Sequence, residues 1–236
     1  MKVRVLKSAS AEFRRFLDAI LARRGGSDAS VDESVAKIIA DVRKRGDAAL
    51  IDYTQQFDRV ELTRKSLRVT PAEMKSALDE IAPAERAALK TAARRITDYH
   101  RRTVERPFMY RDALGIWLGQ MVRPLRRVGI YVPGGLGAYP STVLMNAIPA
   151  RVAGVSEIVM VAPPSPEGER KAVMAAAAIA GVSEFYRVGG AQAVAALAYG
   201  TKTITQVDKI VGPGNSYVQA AKRMVYGVVD IDKMAG

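Results

Sequence analysis

Three glycine-centred segments in the C-terminal half have the residue types that let backbone amides meet a small molecule. They are Val132-Pro133-Gly134-Gly135, Val188-Gly189-Gly190-Ala191-Gln192 and Val211-Gly212-Pro213-Gly214-Asn215. Each follows an apolar run of strand type and opens a helical pattern. Glycine allows close backbone approach, and the N–H groups at a helix start favour polar or anionic ligand atoms. Turns of this kind at the carboxyl ends of parallel strands imply one shared crevice, which is where open α/β sheets bind their ligands.

The elements that must position these turns alternate from residue 116 onward. Ile116-Trp117-Leu118 and Val128-Gly129-Ile130-Tyr131-Val132 read as strands. Helices follow at about 142–153, 167–181, 191–199 and 215–226, with strands at about 157–162, 184–187 and 207–211. Ile158-Val159-Met160-Val161 is apolar on both faces, as a central parallel strand covered by helices must be. The fold class is therefore α/β, with a Rossmann-like parallel-sheet domain over residues 123–236.

Residues 1–122 read as mainly helical. Ser10 and Ser30 have the character of N-caps, and Ser30 with Glu33 spells a capping box ahead of Val35, Ile38, Ile39 and Val42 on one face. A further helix covers Ala48 to Phe57. Leu67-Arg68-Val69 alternates like a short strand before Thr70-Pro71-Ala72-Glu73, a capping box with proline at the first helical position. Pro83 starts a long helix that runs to about Arg102. No glycine-rich or serine-rich linker separates the two halves.

Composition bounds the function. The chain has 236 residues, 49% of them hydrophobic, enough for a real core. No apolar run approaches the roughly 18 residues that cross a bilayer, and Met1-Lys2-Val3-Arg4 leads into no secretory segment. A cytoplasmic location with no membrane partner is expected. The absence of cysteine excludes a thiolate metal site or a cysteine nucleophile within the chain. The net charge of +12 sits in the first half, where residues 1–127 carry 27 Lys and Arg against 17 Asp and Glu. Arg94, Arg95, Arg101, Arg102, Arg106 and Arg111 surround Tyr99, His100, Phe108 and Tyr110, a pattern that a nucleic-acid-binding module would also show. Solvated stripes along one helix explain it more simply, so nucleic acid is disfavoured as a partner. His100 reads as a surface or packing residue and Trp117 as core or interface.

The usual dinucleotide fingerprint is incomplete. Gly135-Leu136-Gly137 supplies only the first half of G-x-G-x-x-G, and Pro140 occupies the third glycine's place. The next strand ends in Ala162-Pro163-Pro164 rather than in an acidic residue that would hold a ribose.

Four blocks in order are more specific. Gly129-Ile130-Tyr131-Val132-Pro133-Gly134-Gly135, Tyr139-Pro140-Ser141-Thr142-Val143-Leu144-Met145-Asn146, Val188-Gly189-Gly190-Ala191-Gln192-Ala193 and Val207-Asp208-Lys209-Ile210-Val211-Gly212-Pro213-Gly214-Asn215 closely resemble the histidinol dehydrogenases. Arg45-Gly46-Asp47-Ala48-Ala49-Leu50 and Phe57-Asp58 are similar to that family too. The resemblance implies NAD-dependent oxidation of L-histidinol to L-histidine through the aldehyde, with a bound zinc ion and a homodimeric enzyme. It also implies that Tyr131, Gln192 and Asn215 contact NAD. Their chemistry suits those roles: a ring with a hydroxyl, a two-sided amide and an amide at a helix start. Packing at a strand end, an exposed helix start and a plain N-cap are the alternative roles of the same three residues.

The family's zinc ligands and its glutamate-histidine proton-transfer pair lie downstream of the position that matches Gly236. No catalytic or metal-ligating residue is therefore assigned in this chain, and residues 1–122 are expected to belong to an incomplete further α/β domain whose helices expose apolar faces or cover them by association. The expectation is an NAD-binding portion that is inactive alone. An enzyme of the aldehyde dehydrogenase type is the remaining alternative, and the missing cysteine nucleophile argues against it.

Overall fold

The computed structural model describes residues 5–24, 29–134, 139–165 and 171–233. Residues 135–137, with the half fingerprint, and the terminal residues 234–236 lie outside the described residues. In chain order the elements are α1 (Ala11–Arg24), α2 (Ala29–Arg45), α3 (Asp47–Asp58), β1 (Arg68–Val69), α4 (Pro71–Glu80), α5 (Pro83–Arg101), β2 (Phe108–Arg111) and β3 (Trp117–Gln120). They continue as β4 (Arg127–Tyr131), α6 (Pro140–Val152), β5 (Glu157–Ala162), α7 (Lys171–Ala180), β6 (Glu184–Arg187), α8 (Gly190–Tyr199), β7 (Lys209–Val211), α9 (Ser216–Val225) and β8 (Asp230–Ile231).

The main sheet has the order β1-β6-β5-β4-β7-β8. Strands β4 to β8 run parallel, and β1 adds antiparallel to the β6 edge. The parallel strands fan out on both sides of β4, so the connections reverse between β4 and β7. That reversal is the point at which open sheets leave a crevice. Side chains along each strand alternate between two apolar layers, as the strand period requires. Val128, Ile130 and Val132 enter one layer with Ile158, Met160 and Phe185. Tyr131 enters the other with Val159, Val161, Tyr186 and Ile210.

Helices cover both layers, and the N-terminal half supplies part of each cover. The stripe Val35, Ile38, Ile39 and Val42 of α2 is buried, and α2 packs on α8 and α9 while α3 packs on α8. On the opposite face α4 and α5 pack against α7 and α6. The expectation of uncovered apolar faces therefore fails for α2 to α5, because the sheet has two faces and α6 to α9 alone do not close them. It holds for α1, where Phe16, Leu17 and Leu21 are exposed. The β2–β3 hairpin is exposed throughout, and Trp117 at 65% exposure is not a core residue.

Local signals explain where helices begin. Ser10 caps α1 by accepting the Phe13 N–H at 3.1 Å. Thr70 forms the full capping box: its hydroxyl accepts the Glu73 N–H at 3.2 Å, and Glu73 accepts the Thr70 N–H at 2.6 Å. The Ser30 box does not form. Ser30 lies inside α2, its carbonyl accepts the Ser34 hydroxyl, and Glu33 pairs with Lys37 at 2.7 Å. Among the described residues no helix is long and apolar enough to cross a membrane.

The amino ends of the central strands are clamped by charge. Arg127, 2% exposed, places its guanidinium between Glu157 of β5 and Glu184 of β6. Three neighbouring strands are thereby tied at the end opposite to the crevice.

Candidate ligand cleft

A cleft of about 770 Å³ opens at the carboxyl ends of the strands, bounded by the glycine turns on one side and by α2 and α3 on the other. Tyr131, Gln192 and Asn215 all line it. They come from the end of β4, the first turn of α8 and the N-cap of α9, so residues 61 and 23 positions apart in sequence converge through strand order alone.

The turns achieve this by packing on one another. Added at Gly134 or at Gly189, a Cβ would meet the Pro163 ring at 2.3 or 2.5 Å, so this proline wedges two of the turns together. Gly212 has φ 111°, and a Cβ there would lie 2.2 Å from the Tyr131 carbonyl oxygen. Only glycine fits such a position. The close approach that the glycines permit is thus largely turn against turn.

Each of the three residues already has work within the protein. Tyr131 is 4% exposed, and its hydroxyl accepts the Gly190 N–H at 3.0 Å, so it satisfies a free donor at the start of α8. Burial pushes this phenol up to about 12, the Gly190 hydrogen bond opposing and the charge of Asp58 adding to the rise. Asn215 Oδ1 accepts the Val218 N–H at 3.1 Å and caps α9, so the oxygen side of this amide is committed to the helix. Gln192 is 1% exposed, and its Oε1 is buried without a hydrogen-bond partner among the described residues. An orphaned buried amide oxygen costs about 1–3 kcal/mol, so a donor from outside has something to gain there.

A buried lysine steadies the last turn. Lys222, 0% exposed, donates to Gly212 O at 3.0 Å and to Lys233 O at 3.1 Å, and it pairs with Asp232. Asp232 in turn accepts the Gly212 N–H at 2.9 Å. Burial raises the Asp232 carboxyl, but the bonds from Lys222 and Gly212 outweigh it and hold the group below the usual carboxylate range.

The helical wall brings residues that periodicity does not flag. Tyr53 and Phe57 stack on the cleft side of α3 with ring centroids 5.6 Å apart and planes 9° from parallel. Asp58, the last residue of α3, has a buried Oδ2 with no hydrogen-bond partner among the described residues, and burial pushes its carboxyl up to about 6. Lys37 adds a cation from α2. One signal for Asp58 was present in the sequence: an acidic residue at a helix C-terminus opposes the macrodipole and calls for another reason to be there.

The cleft is suited to binding and orienting a polar ligand. Two helix starts offer N–H donors, Asp58 and Gln192 offer acceptors, and an aromatic pair offers a flat apolar surface. Among the described residues no group of three or more His, Cys, Asp and Glu side chains could hold a metal ion. His100 lies away from the cleft near the end of α5, edge-on to Tyr99 at 5.1 Å. The basic cluster from Arg94 to Arg111 is exposed to solvent.

Strand order and the cleft at the switch point define a doubly wound α/β protein with a ligand site at its strand ends. Over residues 21–236 the sequence matches the histidinol dehydrogenase family, and the chain belongs to that family. It is 54% identical over 242 residues to the histidinol dehydrogenase of Cupriavidus pinatubonensis, covering 100% of this chain and 54% of that relative. With the enzyme of Aromatoleum aromaticum it shares 52% identity, over 99% of this chain and 54% of the relative. The crystal structure of histidinol dehydrogenase from Elizabethkingia anophelis superposes with a TM-score of 0.82 at 36% identity, covering 86% of this chain and 47% of that one. The chain thus spans about half the length of the curated relatives it matches. These comparisons give no support to the nucleic-acid alternative.

Proposed function

We propose that this chain is the dinucleotide-binding portion of a histidinol dehydrogenase and that its cleft holds NAD+ through Tyr131, Gln192 and Asn215. The observation that carries the reading is their convergence, from three separate turns, on one cleft at the β4/β7 reversal. The starts of α8 and α9 face the diphosphate with N–H donors and positive dipole ends. Tyr131 fixes the start of α8 through Gly190 and so sets the position of Gln192. The Gln192 carboxamide takes a donor from the ligand, and the Asn215 amide donates while its oxygen keeps α9 capped.

Bound NAD+ supplies a hydride acceptor. The residues of this chain bind it and exclude water around it. The complete reaction, L-histidinol to L-histidine through the aldehyde, belongs to a cytoplasmic, homodimeric, zinc-dependent enzyme. By the family resemblance, the zinc and the proton-transferring groups are assigned to the remainder of the family chain. Calorimetric titration with NAD+ tests the cofactor reading, on this chain and on a variant with Tyr131, Gln192 and Asn215 all changed to alanine. Saturable binding that the triple variant weakens at least about tenfold, or roughly 1.4 kcal/mol, is expected. Equal binding by both proteins overturns the assignment.

A further inference from the structure

The unassigned feature of the cleft is its helical wall. Asp58 presents a buried Oδ2 without a hydrogen-bond partner among the described residues, and neighbouring Phe57 and Tyr53 form a stacked aromatic surface. Both line the same cleft as turns whose N–H donors suit phosphate. A carboxylate is an acceptor only, so the group that satisfies it must donate hydrogen bonds and carry no negative charge. An aromatic surface beside it suits a base. A nucleoside has both parts, a flat ring and ribose hydroxyls. The position where doubly wound sheets ordinarily keep an acidic ribose ligand, the end of the strand after the first glycine turn, holds Ala162-Pro163-Pro164 here.

We infer that Asp58, reaching in from the end of α3, accepts a hydrogen bond from a ribose hydroxyl of the dinucleotide and makes the cleft select NAD+ against its 2′-phosphorylated form. The inference rests on the NAD+ reading above and adds the direction in which the ligand lies. The nucleoside sits on the α3 wall, and the diphosphate points to the starts of α8 and α9. A 2′-phosphate would set its charge against Asp58, and like charges facing each other in a cleft discriminate strongly.

Dissociation constants for NAD+ and NADP+ on the parent chain, on Asp58→Asn and on Asp58→Ala test this. The parent binds NADP+ at least about tenfold more weakly than NAD+, a gap of about 1.4 kcal/mol. Asp58→Asn narrows that ratio to within about threefold, mainly by tightening NADP+, and Asp58→Ala narrows it as well. If Asp58 served the fold alone, its replacement would move both ligands together and leave the ratio unchanged, and that result overturns the inference. Equal affinity of the parent for both ligands overturns it too. A parent chain that binds neither nucleotide removes the cofactor reading itself, whereas NAD+ binding with an unmoved ratio removes only the role of Asp58.

Discussion

The two walls of the cleft are built on opposite terms. On the turn wall most polar groups are committed within the protein: the Tyr131 hydroxyl to Gly190, Asn215 Oδ1 to Val218, Gly212 to Asp232 and Lys222. On the α3 wall Asp58 Oδ2 is buried without a partner among the described residues, and its carboxyl is pushed up to about 6 by burial. A committed wall holds its shape before a ligand arrives. An uncommitted acceptor costs stability that binding can return.

Breaking the committed wall gives the largest effect. Lys222→Met removes the cation beneath the Gly212 turn and strands Asp232, so unfolding should become easier by about 3 kcal/mol, with a Tm lower by roughly 6–12 °C. A melting temperature within 2 °C of the parent, roughly the noise of the assay, would show that the turn holds without its tether. Tyr131→Phe keeps the ring and leaves the Gly190 N–H without its acceptor, costing about 1–2 kcal/mol in urea unfolding. Asn215→Ala removes one cap of one helix and costs about 1 kcal/mol by the same measurement.

The smallest effect has the opposite sign and sharpens the contrast. The Asp58 carboxyl lies higher in the folded chain, about 6, than its ordinary value of 3.8. The folded state then holds the proton more tightly, so the carboxylate subtracts stability above about pH 6 and subtracts nothing below about pH 4. Asp58→Asn should raise the Tm at pH 7, and the gain should vanish on acidification below pH 4. The other titratable groups lining the cleft are Lys37, Tyr53, Tyr131 and Tyr217, and burial pushes the Tyr53 and Tyr131 phenols up, away from that range. A variant less stable than the parent at pH 7 would show that the carboxylate is satisfied after all.

The same contrast governs what could be read from the chain. The turn wall was legible because its signals are local: strands at 157–162 and 184–187 fall where the apolar runs predict, and each glycine turn precedes a helix. Thr70 caps as its sequence predicts because its own backbone is extended and Pro71 opens the helix, whereas α2 already includes Ser30. The α3 wall was illegible because it depends on α2 and α3 settling on α8, a contact between residues more than a hundred positions apart. Nothing in the local pattern around Asp58 states which elements will bury it. The exposed hairpin misled in the other direction, since Trp117 is apolar by type and yet 65% exposed.

Hydrogen exchange with and without saturating NAD+ tests most directly whether the two walls close on one ligand. Slower exchange should appear together at the end of α3, around residues 53–59, and at the starts of α8 and α9, around 189–193 and 214–218, with α5 unchanged. Protection confined to the arginine-rich stretch of α5, or protection of one wall without the other, would contradict the account.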